Sequence, residues 1–230
     1  MDRYNRNLLI EGIGSEGQKA LNKAKVLVVG AGGLGSPCLL YLTSAGIGTI
    51  GIVEHDTVDI SNLQRQILYS EKDIGFPKID GAKDRLESLN SEIKIQLHPY
   101  RLTSLNAKEL FNTYDFIVDC SDNFETKYLI NDTCVDLKKP FSFGTVIAMQ
   151  GQVFTYIPGS NSLRTIFGPP PPINEQVKAS QIGILGAMSG VIGSIQATEV
   201  IKYFTELGEL LVNQLLLING LDFTFQTLKL

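Results

Sequence analysis

The chain has 230 residues, 43% hydrophobic and 19% charged, with a formal net charge of −4, the composition of an ordinary globular protein. No apolar run reaches the roughly 18 residues of a membrane helix, the polar start Met1-Asp2-Arg3-Tyr4-Asn5-Arg6 has no signal-peptide pattern, and no basic run marks a nucleic-acid partner, so a cytoplasmic protein is expected. Three scattered cysteines, Cys38, Cys120 and Cys134, and two histidines, His55 and His98, build neither a disulfide framework nor a zinc cluster. Lys25 to Gly30 is a short β-branched run closed by glycine, 36–45 reads as a helix, and Thr49 to Val53 completes a βαβ unit, which makes the first two strands parallel. Lys78 to Asn90 has helical spacing and Ile93 to Leu97 alternates as a strand. Tyr114 to Asp119 predicts a buried strand, Phe124 to Leu137 a helix and Phe141 to Ala148 another strand. This alternation predicts a Rossmann-like α/β fold, a mostly parallel central sheet with helices on both faces. Gln152 to Ile157 is then a strand, and 158–181, with Pro169 to Pro172, reads as a long crossover loop. Gly183 to Phe204 predicts a buried helix whose small residues, among them Gly186, Ser189 and Gly193, permit close packing. Leu215 to Ile218 and Phe223 to Phe225 flank Asn219-Gly220, which predicts a C-terminal antiparallel hairpin with a tight turn. No repeat or linker is visible, so residues 1–230 are expected to form a single domain.

Gly30-Ala31-Gly32-Gly33-Leu34-Gly35 is a G-x-G-x-x-G run between a strand and a helix, where glycines let backbone N–H groups approach a phosphate. Glu54, at the end of the second strand, stands where a carboxylate accepts ribose hydroxyls. NAD satisfies both features as well as ATP does. Arg65, within Ser61-Asn62-Leu63-Gln64-Arg65-Gln66, and Lys78 after Pro77 discriminate, because ATP carries about four negative charges and its departing pyrophosphate needs cations. Either cation alone is an ordinary surface charge; together they favour a triphosphate. In Asp119-Cys120-Ser121-Asp122-Asn123, at the end of a strand, Asp122 can hold Mg²⁺ with nucleotide oxygens, or Ser121 or Asp122 can cap the next helix.

With Arg3-Tyr4-Asn5-Arg6 at the start, this order of motifs resembles the ThiF/MoeB/HesA family of ubiquitin-activating-enzyme-like adenylyltransferases, from about Arg3 through Leu228. The resemblance implies ATP and Mg²⁺ and the activation of a carboxylate as an acyl-adenylate with release of pyrophosphate. The usual acceptor is the C-terminal glycine of a ubiquitin-like sulfur-carrier protein, and the usual setting is cofactor biosynthesis. It implies that Gly32, Gly33 and Gly35 line the phosphates, that Glu54 holds the ribose, and that Asn62, Arg65, Gln66 and Lys78 contact phosphate or adenylate. Asp122 would support Mg²⁺. The family usually has aspartate where Glu54 stands, which leaves Asp56 as a second candidate. Arg6 matches an arginine inserted into the neighbouring subunit's site, which implies a homodimer.

Two departures bear on mechanism. Ser162-Leu163-Arg164-Thr165 stands where the family has a zinc-binding C-x-x-C pair, and a second pair is missing after the hairpin, so no structural zinc is expected. No cysteine lies around Lys178-Ala179-Ser180, where some members form covalent intermediates, so adenylylation without an enzyme thioester is expected. Two other functions compete: adenylylation of a small-molecule carboxylate in cofactor or natural-product synthesis, and a nucleotide-binding sensor without turnover. Intact Arg65, Lys78 and Asp122 weigh against the sensor.

Overall fold

The computed structural model describes residues 3–172, 174 and 182–230. Among them the strands are β1 (Lys25–Val29), β2 (Thr49–Val53), β3 (Lys94–His98), β4 (Phe116–Asp119), β5 (Phe141–Ile147), β6 (Gln150–Tyr156), β7 (Gln214–Asn219) and β8 (Thr224–Lys229). They form one sheet in the order β3-β2-β1-β4-β5-β6-β7-β8. Neighbours from β3 to β5 run parallel, and those from β5 to β8 antiparallel. The helices are α1 (Asn5–Leu8), α2 (Gly14–Lys23), α3 (Gly35–Ala45), α4 (Lys78–Leu89), α5 (Ala107–Asn112), α6 (Phe124–Leu137), α7 (Leu163–Phe167) and α8 (Gly186–Thr205). The chain builds outward from β1 to β3 and then returns to place β4 on the other side of β1. That reversal opens a crevice at the carboxyl ends of β1 and β4, the place where such sheets take ligands.

The parallel strands read as unbroken apolar runs because both of their faces are covered. In β1, Val26 and Val28 join Leu42 of α3, Leu86 of α4 and Val200 of α8, whereas Leu27 and Val29 join Phe111 of α5 and Ile130 of α6. Each fully buried leucine or valine contributes about 1.5–3 kcal/mol. The small residues of α8 serve this packing: a Cβ at Gly193 would strike the Leu34 carbonyl and stand 2.7 Å from Pro37 Cγ, so glycine lets α8 lie directly on α3. No described helix is long and apolar enough to cross a membrane.

Several elements differ from the sequence expectation. The helices α2 and α5 were not foreseen: α2 buries Leu21 as its one large apolar side chain, and α5 has only six residues. Within the expected loop at 158–181, residues 163–167 form α7, while 173 and 175–181, including Lys178-Ala179-Ser180, lie outside the described residues. The hairpin is present, but Asn219 still pairs with Thr224, so its loop is Gly220 to Phe223. The positive φ falls on Phe223 rather than on the Asn219-Gly220 pair.

Candidate active site

Beyond Val29, the glycine run carries the chain over the sheet edge into α3. Gly30 has φ +95°, and a side chain there would meet the Cys120 carbonyl at 2.7 Å, so this position requires glycine on both counts. A Cβ at Gly35 would collide with the Gly30 carbonyl oxygen. Gly32 is different, because a Cβ there would face only the Gln66 side chain, at 3.5 Å. The loop is thus packed tightly at its ends and open at Gly32. No described side chain caps α3, whose positive end faces that opening.

Ala31 is held from both sides. Its N–H donates to Glu54 Oε2 at 3.0 Å, and its carbonyl accepts from Tyr69 Oη at 2.8 Å. Burial, with the nearby Glu54 charge second, pushes the Tyr69 hydroxyl well above its usual range, so it remains a donor. Glu54 Oε1 accepts from the N–H groups of His55, at 2.7 Å, and Asp56, at 3.0 Å. The Glu54 carboxylate, 6% exposed, therefore braces the loop against the end of β2. Asp56 is exposed and pairs at 3.2 Å with Lys78 Nζ, which emerges from a buried position at the start of α4.

The 61–66 segment lies across the glycine run. Asn62 Oδ1 accepts from the Asp59 N–H at 3.2 Å in a reciprocal cap of the 3₁₀ turn Ile60–Asn62, so its carbonyl oxygen is committed to local structure. Arg65 Nη1 donates to the Ser61 carbonyl at 3.1 Å, and Arg65 Cγ lies 3.4 Å from where a Gly33 Cβ would stand. At 3.1 Å from the same point is Ser189 Oγ of α8. Ser189 Oγ and Gln66 Oε1 are both buried without a hydrogen-bond partner among the described residues. Buried polar atoms are nearly always paired, and beside the open glycine cradle the Ser189 hydroxyl is able to donate to a phosphate oxygen, whereas Gln66 Oε1 can only accept and so suits a ligand hydroxyl or amine. Tyr69 and Ser189 escaped the sequence reading because a tyrosine and a small helical residue both pass for packing.

Across the crevice, the end of β4 carries the second half of the site. Asp119 Oδ1 accepts from the Ser121 N–H at 3.0 Å, and its Oδ2 accepts from Lys127 Nζ at 3.2 Å. Asn123 caps α6 by accepting from the Thr126 N–H at 2.9 Å. The cap considered for Ser121 or Asp122 thus falls to Asn123. Asp122 is exposed and receives a long 3.3 Å contact from Asn123 Nδ2, which leaves its carboxylate open to a cation. Beside it lies a cavity of about 480 Å³ walled by Phe143, Phe167 and Pro169 among others, with Asp122 and Lys127 as its charged lining.

The ThiF family model matches residues 4–230. The chain belongs to the ThiF family. This ThiF-family chain is 42% identical, over 99% of its length, to the sulfur carrier protein adenylyltransferase of Thermus thermophilus, and it covers 86% of that protein. It is 44% identical over the same share to the adenylyltransferase and sulfurtransferase MOCS3 of Anopheles gambiae, of which it spans only about half, 52%. E. coli MccB crystallised with ATP has the same fold, with a TM-score of 0.87 at 24% identity over 99% of this chain and 71% of that one.

In this ThiF-family chain, Arg6 stands apart from the other expected site residues. Asn90 Nδ2 donates to Tyr4 Oη at 2.9 Å, the Tyr4 ring lies against Gly46, and Arg3 donates to the Leu89 carbonyl at 2.8 Å. The N-terminal segment is thereby pinned at the C-terminal ends of α3 and α4. The 11 residues of α3 span about 16 Å, and the glycine run lies at the opposite end. Arg6, two residues beyond Tyr4, is exposed.

Ser162 and Thr165, at the positions of the family's cysteine pair, make a reciprocal cap at the start of α7; the Ser162 N–H donates to Thr165 Oγ1 at 2.6 Å. Cys38, Cys120 and Cys134 are buried, and burial holds the Cys120 and Cys134 thiols well above their usual range, which suits packing rather than attack. Elemental analysis of the untagged ThiF-family chain is expected to find far less than one zinc per chain. A stoichiometry near one that survives dialysis would contradict this.

Proposed function

We propose that this chain uses ATP and Mg²⁺ to adenylylate the C-terminal glycine of a ubiquitin-like sulfur-carrier protein, releasing pyrophosphate. The observation that carries the reading is the convergence at one crevice of an open glycine cradle, the cations Arg65 and Lys78, and the uncommitted carboxylate of Asp122. The name of the Thermus relative supports the acceptor. Gly32, Gly33 and Gly35 would line the phosphates. Glu54 braces the cradle, and Glu54 or Asp56 would hold the ribose. Asn62, Arg65, Gln66 and Lys78 would contact phosphate or adenylate, and Asp122 would hold Mg²⁺.

When bound there, Mg²⁺ would neutralise part of the phosphate charge. An acceptor carboxylate oxygen attacks the α-phosphorus, the bond to the bridging oxygen breaks, and pyrophosphate leaves with the electron pair. Arg65 and Lys78 offset the charge that develops on it, and a second copy of the chain supplies Arg6 in a homodimer. Three free, buried cysteines suit a reducing cytoplasm.

The test is ATP–pyrophosphate exchange with a sulfur-carrier protein ending in Gly-Gly. Exchange is expected with the intact carrier and not with one lacking the terminal glycine. Exchange supported only by small carboxylates would move the acceptor to that class, and no exchange with either would leave a nucleotide sensor. Lys78→Met keeps the buried stem but removes the charge, so calorimetry is expected to show ATP binding weakened about tenfold or more with the fold retained. Unchanged affinity would remove Lys78 from the site.

A further inference from the structure

Four fastenings hold the turn that carries Asp122. Asp119 ties back to Ser121, the Asp119 carbonyl accepts from Gln196 Nε2 at 2.8 Å, Asn123 caps α6, and Lys127 reaches from α6 to Asp119 Oδ2 at 3.2 Å. Lys127 also donates to the Gly144 carbonyl of β5 at 2.7 Å and lies over the Phe143 ring at 4.9 Å. Asp119 is 0% and Lys127 6% exposed. Burying two such charges is costly, and an apolar pair of similar volume is often as stable. What the ion pair adds is direction: Asp119 and Lys127 fix the turn to β5, while Asp122 alone keeps its carboxylate outward.

Resting on the reading that Asp122 holds Mg²⁺, we propose that Lys127 is the positioning residue of the metal-binding turn, anchoring it through Asp119 to β5 so that Asp122 meets the cation in a fixed orientation. Groups that orient a metal ligand commonly change metal affinity 10- to 100-fold when removed. Lys127 also lines the cavity beside Asp122, so one side chain links the cavity floor to the metal turn.

Mn²⁺ is the probe, titrated by electron paramagnetic resonance into the full chain saturated with ATP and without acceptor. Lys127→Met is expected to weaken Mn²⁺ binding 10- to 100-fold, while metal-free ATP affinity, measured in EDTA, changes less than about threefold. Lys127→Arg is expected to recover most of the loss, which a merely space-filling role would not require. Lys127→Met leaves Asp119 buried and unpaired, so the double variant Asp119→Asn/Lys127→Met, which removes both charges, serves if the single one does not fold. The same weakening is expected of it. A folded double variant with wild-type Mn²⁺ affinity would overturn the proposal. If Asp122→Asn itself leaves Mn²⁺ affinity unchanged, the metal reading of Asp122 fails, and this proposal falls with it.

Discussion

Gly35→Ala is expected to abolish ATP binding and to lower the melting temperature by several degrees, whereas Gly32→Val is expected to lose binding with the fold intact. The difference lies in what each new side chain would meet. At Gly35 it is the Gly30 backbone, and a Gly30 side-chain position is itself backed by the Cys120 carbonyl at 2.7 Å, so the loop has no room to yield. Overpacking of this kind costs about 1–3 kcal/mol or more, and in a chain of this size each kilocalorie is worth about 2–4 °C. At Gly32 the opening contains the Gln66 side chain, at 3.5 Å, and otherwise the space a phosphate would fill. Scanning calorimetry and ATP titration of the two variants separate the cases. Normal ATP affinity in both would remove the glycine run from the site.

Arg6→Ala and Asp122→Ala are each expected to lower adenylate formation by on the order of 10²-fold or more, and mixing the two inactive proteins is expected to restore about a quarter of the wild-type activity. Half of randomly exchanged dimers are mixed, and each of these carries one site in two with both residues intact. The geometry motivates the experiment: Tyr4 and Arg3 pin the N-terminal segment at the end of α3 opposite the glycine run, which favours a neighbour's site over its own for Arg6. Mixed dimers that form, shown by mass spectrometry, and yet recover no activity would place Arg6 outside catalysis.

The parallel half of the sheet was legible because Val26 to Val29, Ile50 to Val53 and Phe116 to Val118 are apolar on both faces, which only covered parallel strands require. The glycine run was legible because strand and helix flank it. By contrast, α5 is too short to establish a period, and α7 was hidden in a segment whose prolines read as loop. At the site, sequence reasoning named charged and amide residues but did not foresee the contacts they make with one another. Glu54 was expected at the ribose, and the contact of its Oε2 with the Ala31 N–H was not foreseen. Lys127 was not singled out within the helix expected from Phe124 to Leu137, since nothing local distinguishes a lysine that will be buried against an aspartate eight positions earlier.

The place where β1 meets β4 has a consequence for how the protein is made. Val26 pairs with Phe116, and the Lys25 N–H donates to the Asp115 carboxylate across a separation of 90 residues. Contacts this distant in the chain form late, because the entropy of closing the intervening segment is lost before they give anything back. A nascent chain that has emerged only as far as β3 already carries the glycine run, Glu54 and Lys78, yet lacks the opposite wall. A ligand that needs both walls stabilises only the completed sheet, so nucleotide would act as a lock on the finished fold rather than as a template for reaching it.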